Sequence, residues 1–290
     1  RYSRSPKSLR QLFLDEFAPD LAAAEGGTST AGLAHAEKLY GRIFTDYGDD
    51  SVAQLGGVHL ACENVSNLLT KVLERGRLAA YLEQSTRYIP YTDRTGGVWR
   101  YHVPAELDGH PLRAAYVAAL DATFASYAKW IDPLRAHFER KYPKAPGDSD
   151  AVYKSATRAK ALDTLRGLLP AATQSNVGIY ATGQAYEALI LRMRAHPLAE
   201  VRAYADLMLT ELRKVIPAFL TRVDQPDRGG VWTAYLADAR QRTLEIAVRL
   251  AGDAAPEARE EVTLTDFDPD GEVKVVAAAL YTSTNLPDDQ

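Results

Sequence analysis

RGRLAAYLEQSTRY, residues 75–88, sets three arginines, one glutamate and one serine among apolar residues. Arg75 and Arg77 stand two apart, so on a strand or a loop both face one side. Arg87 follows Glu83 and Ser85. A phosphate held by an arginine, a serine hydroxyl and backbone N–H groups is an ordinary use of this spacing. Glu83 would orient an arginine through a bidentate pair or accept from a ligand N–H. The other reading is a solvated charged loop, whose surface ion pairs contribute little.

Upstream, Lys7–Phe17 has apolar residues at helical spacing, Gly26–Gly32 is a loop, and Leu33–Phe44 reads as a second helix. Asp50 or Ser51 then caps a long helical run to about Glu74, built on Val52, Leu55, Val58, Leu60, Val65, Leu68, Leu69 and Val72. The charged segment falls at the end of that helix or on the loop beyond it. Downstream, Tyr88–Val103 predicts strands joined at Gly96-Gly97. Helices are expected over Pro111–Arg140, Ser155–Leu165, Thr182–Arg194, Leu198–Leu220, Val231–Leu250 and Glu272–Leu280. Ala171–Ile179 reads as extended, Lys144–Asp150 and Asp224–Gly230 as loop and linker, and Val262–Asp266 as a strand.

With 290 residues the chain can bury a real core, and 46% apolar with 25% charged residues is a globular composition. A net charge of -4 and a pI near 5.9 give no global attraction to nucleic acid or anionic membranes, so an anion site must be local. A single cysteine, Cys62, excludes an internal disulfide and a cysteine-based zinc cluster, and its apolar neighbours predict a buried structural thiol. No apolar run approaches the roughly 20 residues that span a bilayer. A cytoplasmic location is expected. The histidines at 35, 59, 102, 110, 137 and 196 show no paired metal spacing. Asp266, Asp268 and Asp270 alternate in TDFDPDG but lack the remaining ligands of a calcium loop, so this stretch predicts a turn that caps the next helix.

Residues 75–88 resemble the signature of the flavin-dependent thymidylate synthases (ThyX), Arg-His-Arg-x-x-Ser-x-Asn-Glu-x-Ser-x-Arg-Tyr. Arg75, Arg77, Glu83, Ser85, Arg87 and Tyr88 match it, whereas Gly76, Ala80 and Leu82 replace its His, Ser and Asn. TLRGLLPAATQ is similar to the family's Ala-Arg-x-x-Leu-Pro segment. LILRMRAHPLAEVRAYA is similar to its Leu-x-Leu-Arg stretch. The resemblance implies an α+β, ThyX-like fold, mostly helical with a small antiparallel sheet packed against long helices. It implies a pyrimidine nucleotide such as dUMP on Glu83, Ser85, Arg87, Arg166 and Arg194, the last at the uracil. It also implies FAD near Ser51, Arg75 and Arg77, methylenetetrahydrofolate and NADPH as further reactants, methylation of dUMP to dTMP, and a homo-tetramer with sites between subunits.

The flavin contacts of that pattern are eroded here. Beyond Gly76, the upstream His-x-Ser-x-x-Glu-His pattern keeps only Ser51. The downstream Asn-x-Arg-x-x-x-Asn falls on Gly183, Ala185 and Leu189, and the glutamine before the motif is Val72. A large ligand needs several convergent polar groups. A nucleotide-binding module without catalysis, or a structural half of a tandem protein, is therefore the alternative to an active enzyme. VTLTDFDPDGEVKVVAAALY, residues 262–281, resembles the beginning of a ThyX domain, and Tyr2–Gln11 can be laid over Tyr281–Gln290. Residues 1–250 are thus expected to form one ThyX-like domain with its beginning missing, and 262–290 the start of a second repeat.

Overall fold

The computed structural model describes residues 7–16, 18, 54, 56–252, 254–255, 258–259 and 262–284. The chain divides into two compact units, 1–240 and 241–290. The expected loop at 26–32, the helix at 33–44 and Ser51 lie outside the described residues.

In the larger unit a short helix α1 (Leu9–Glu16) precedes strand β1 (Gly57–Ser66), helix α2 (Asn67–Leu73) and strand β2 (Ala79–Glu83). The expected helix up to Glu74 is therefore corrected over its described part: a ten-residue strand fills most of it. Val58, Leu60 and Cys62 are inward residues of a period-two alternation, with His59, Ala61 and Glu63 on the other face. Only Leu69, Thr70 and Leu73 are the buried face of a helix, which here is two turns long. The hinge between the two periods is chemical. Asn64 sits at φ 56°, in the left-handed region that Asn tolerates, and the pairing slips between Cys62 and Val65. Its N–H donates to Asn176 Oδ1 at 2.9 Å. Ser66 then caps α2, accepting from the Leu69 N–H at 3.1 Å.

A two-stranded hairpin, β3 (Arg94–Thr95) and β4 (Val98–Trp99), turns through Gly96 and Gly97 at φ 61° and 85°, as the paired glycines predict. The long helices α3 (Arg113–Lys141) and α4 (Asp150–Leu165) follow, then β5 (Gln174–Thr182), α5 (Gly183–Arg194) and α6 (Ala199–Arg213). Helix α7 covers Val231–Ala251. The strand order is β1-β5-β2, antiparallel throughout, with Leu60 opposite Ile179 and Tyr81 opposite Ile179 on the other side. The chain is α+β, with long helices and a small antiparallel sheet.

Two apolar clusters result. One joins the inner sheet face to α2, α5 and α6 through Val65, Leu69, Val177, Ile179, Ile190 and Met208. The other lies in the α3–α4 hairpin, around Tyr91, Trp99, Phe124, Tyr127 and Leu162. Each fully buried Leu, Ile or Phe of such a cluster contributes about 1.5–3 kcal/mol. A partly buried polar knot lies in the same unit: Glu200 accepts from the Ser66 N–H at 2.8 Å and from its hydroxyl at 2.6 Å, and His102 Nε2 stands 3.8 Å away. Cys62 is buried as expected, and burial pushes its thiol up to about 12.

In the smaller unit α8 spans Gly271–Leu280. The expected strand at 262–266 is not formed, and Val262 and Leu264 are exposed. β-Branched residues make a strand only where another strand supplies their hydrogen bonds, and no strand of the described residues pairs with these. The aspartates after it form the predicted turn: Asp268 accepts from the Asp270 N–H at 3.0 Å and from Lys274 Nζ at 2.7 Å. Among the described residues no His, Cys, Asp or Glu group could hold a metal ion, and no helix is long and apolar enough to cross a membrane.

Candidate functional site

Residues 75–88 turn out to be a turn, a strand and a second turn. Strand β2 seats the middle of the segment against β5, with Glu83 opposite Val177. Gln84 continues this anchor: its N–H donates to the Asn176 carbonyl at 2.9 Å, and its Oε1 accepts from Arg100 Nη2 at 3.0 Å. The chain then reverses. The Ser85 carbonyl accepts from the N–H groups of Tyr88 and Ile89, and Ser85 Oγ accepts from the Arg87 N–H at 3.3 Å.

Glu83, Ser85 and Arg87 follow one another along the strand exit. Glu83 is held by Lys71 Nζ at 3.0 Å, so this carboxylate arrives with a cation attached. Arg87 is exposed and meets no carboxylate among the described residues. Arg166 lies on a 3-10 turn after α4 and pairs with Asp163 at 3.0 Å. Arg194, in the last turn of α5, donates from Nε to Asp206 Oδ1 at 2.8 Å. No hydrogen bond or ion pair joins either arginine to the Ser85–Arg87 turn among the described residues.

The other half of the segment opens on a different place. Gly76 and Arg77 line a pocket of about 110 Å³ together with Tyr81, Ala185, Leu189 and Arg192. Sites for ligands of cofactor size run to roughly 300–1,000 Å³. Among the described residues, those lining this pocket do not fit a flavin. Gly76 has no side chain, and the Tyr81 hydroxyl is committed to the Gly76 carbonyl at 2.9 Å. Ala185 and Leu189 offer no donor. A side chain at Gly183 would meet Phe219 at 2.8 Å, so packing fills the room that a polar group there would need. Arg75 and Arg77 are exposed and carry no ion pair among the described residues.

Sequence reasoning missed Lys71, Gln84, Asn176, Arg100 and Arg192. Asn176 lies on a strand distant in sequence, so only strand pairing reveals it, and Lys71 reaches Glu83 only because α2 turns directly into β2. Arg192 was within reach, because it stands three residues after Leu189 on one helix.

Residues 12–218 match the family model described as thymidylate synthase complementing protein. The chain belongs to that family. It is 36% identical over 287 residues to a "UPF0159 protein" of Chlamydia muridarum (strain MoPn / Nigg), covering 97% of this chain and 54% of that relative. A "UPF0159 protein" of Chlamydia pneumoniae is similarly 36% identical, with 98% and 55% covered. A "Flavin-dependent thymidylate synthase" of Mycobacterium sp. (strain KMS) is 30% identical over 182 residues, 62% of this chain and 67% of that protein. This ThyX-family chain thus spans about half the length of the chlamydial relatives it matches. It is a diverged member: the enzymes named as synthases are matched over a shorter stretch and at lower identity.

Proposed function

We propose that this chain is the nucleotide-holding part of a ThyX-family protein, taking the phosphate of a pyrimidine nucleotide such as dUMP on Ser85 and Arg87. The observation that carries this reading is the contrast between the two halves of residues 75–88. The Ser85 turn carries a hydroxyl and, two residues on, an exposed guanidinium that meets no carboxylate among the described residues. The pocket at Gly76 and Arg77 is small and mostly apolar. A guanidinium left without a carboxylate matches phosphate well, because its donors form a planar fork.

Glu83 orients the arginine or a ligand N–H, and Arg166 and Arg194 complete the nucleotide site. Each of these two has an exposed carboxylate pair, with Asp163 or Asp206, that a nucleotide phosphate would replace, and the family resemblance, on a ThyX-like fold, implies a site shared between copies of a homo-oligomer. Calorimetric titration with dUMP tests the reading. The protein is expected to bind without flavin, and Arg87→Ala to lose about tenfold or more in affinity. Absence of heat with dUMP, or an unchanged affinity in Arg87→Ala, refutes it.

A second reading is favoured by the length of the relatives, about twice that of this chain. Residues 262–290 would open a further ThyX-like unit, which supplies the flavin contacts lacking here, and the whole protein would methylate dUMP with methylenetetrahydrofolate, FAD and NADPH. Bound-flavin absorbance between about 350 and 500 nm in the full-length protein supports this second reading. Its absence after flavin reconstitution, with no tritium released from 5-tritiated dUMP, removes it.

A further inference from the structure

The α3–α4 hairpin carries a cleft of about 570 Å³ that the nucleotide reading leaves unused. Arg135 and Glu139 of α3 face Lys154, Ser155 and Arg158 of α4, and Tyr88 closes one side. The volume lies within the range of about 300–1,000 Å³ typical of small-molecule sites.

The charge in this cleft is not balanced. Arg135 stands 3.7 Å from Asp132 and 3.5 Å from Glu139, so its guanidinium is partly answered. Lys154 and Arg158 have no carboxylate partner among the described residues. They stand one turn apart on one face of α4, where like charges destabilise a helix. Asp132 and Glu139 both answer Arg135, so Lys154 and Arg158 are the charges left for a ligand. A phosphomonoester brings about -1.5 to -2 at pH 7 and three acceptor oxygens. Ser155 adds a hydroxyl donor. Tyr88 is 63% exposed at the cleft and offers an uncovered ring. Such a ring stacks on any nucleobase, because every base has a π-face.

We propose that this cleft is a second anion site, next to the Ser85–Arg87 turn and sharing its Tyr88, which takes a nucleoside 5′-monophosphate. Lys154, Arg158 and Ser155 hold the phosphate, and the base lies on Tyr88. The Tyr153 hydroxyl, which reaches the Glu139 and Tyr142 carbonyls at 3.2 and 2.9 Å, keeps α3 and α4 in register around it.

Titration calorimetry with adenosine 5′-monophosphate, ribose 5-phosphate and adenosine tests the site. The monophosphate is expected to bind, ribose 5-phosphate to bind about five- to tenfold more weakly, and adenosine to give no heat. The double variant Lys154→Gln/Arg158→Gln is expected to lose about tenfold or more for both phosphates. Lys154→Arg/Arg158→Lys retains binding and shows that the loss is one of charge and not of folding. Tyr88→Leu removes the advantage of the monophosphate over ribose 5-phosphate. No binding of either phosphate overturns the proposal, and so does adenosine binding as well as its monophosphate. A monophosphate affinity lost in Arg87→Ala but kept in the double variant also overturns it, while leaving the Ser85–Arg87 site standing.

Discussion

Arg87, Arg166 and Arg194 carry the same charge but meet different neighbours, and the neighbours decide what each can bind. Arg166 and Arg194 are already answered by Asp163 and Asp206. Arg222 shows the structural extreme: it makes a two-pronged pair with Glu187, at 2.7 and 2.8 Å, against a carboxylate that is only 11% exposed. Glu187→Gln is expected to lower stability by about 2–3 kcal/mol, read from urea unfolding, because the arginine loses a charged partner in a dry place. His196 gives a pH signature. Burial, with help from Arg240 and Arg202, holds its imidazole below the usual range, and its Nδ1 accepts from the Leu198 N–H at 3.2 Å ahead of α6. The neutral ring is thus the form that folding favours. Its contribution is complete above about pH 6.5, the unfolded value, and is lost as the pH falls through the lower folded value. Thermal melts between pH 7.5 and 5 should show that decline. They should show less of it in His196→Asn, whose side-chain oxygen keeps an acceptor that does not titrate.

At the scale of elements, the turn from β1 into α2 is the most local-looking feature of the chain and the least legible in it. Val58, Leu60, Val65, Leu69 and Val72 satisfy a helical template well enough to hide an alternation inside it. Helical and strand periods coincide over short apolar runs, so spacing alone does not separate them. Asn64 separates them in the fold. Asn64→Val is expected to cost about 1–2 kcal/mol through the left-handed backbone. Asn64→Gly should stay within about 0.5 kcal/mol of the parent protein, since glycine adopts that conformation freely. Chemical denaturation of the two variants side by side checks this. Where the local chemistry was unambiguous, the elements came out as read. Gly96-Gly97 makes its hairpin, Thr182 caps α5 by accepting from the Ala185 N–H at 3.3 Å, and α3 ends at Lys141 beside the predicted loop.

At the scale of the whole molecule, Ser66, Glu200 and His102 gather at one place in the larger unit from three separate stretches of chain. Glu200 accepts two short hydrogen bonds from Ser66, so Glu200→Ala leaves a buried hydroxyl and N–H without their acceptor. The expected loss is about 2–3 kcal/mol, and melts followed by near-UV circular dichroism, which reports the tyrosines and Trp99 of the hairpin core, should register it. The family was legible in residues 75–88 because its signature residues stand there in order, and the α+β class came with that resemblance. The limits of the flavin half were legible only as missing side chains. The fold added the reason: Phe219 fills the space at Gly183, and the Gly76 carbonyl occupies the Tyr81 hydroxyl.

The sequence by itself determined which groups are available: the charges, the hydroxyls, the cap and turn residues, and the family they belong to. Only the tertiary structure decided which of those charges remain free. An ion pair depends on distance. Asp163 lies three residues before Arg166, within reach of helical spacing. Asp206, Lys71 and Glu187 reach their partners through strand exits and packing that spacing along the chain does not encode.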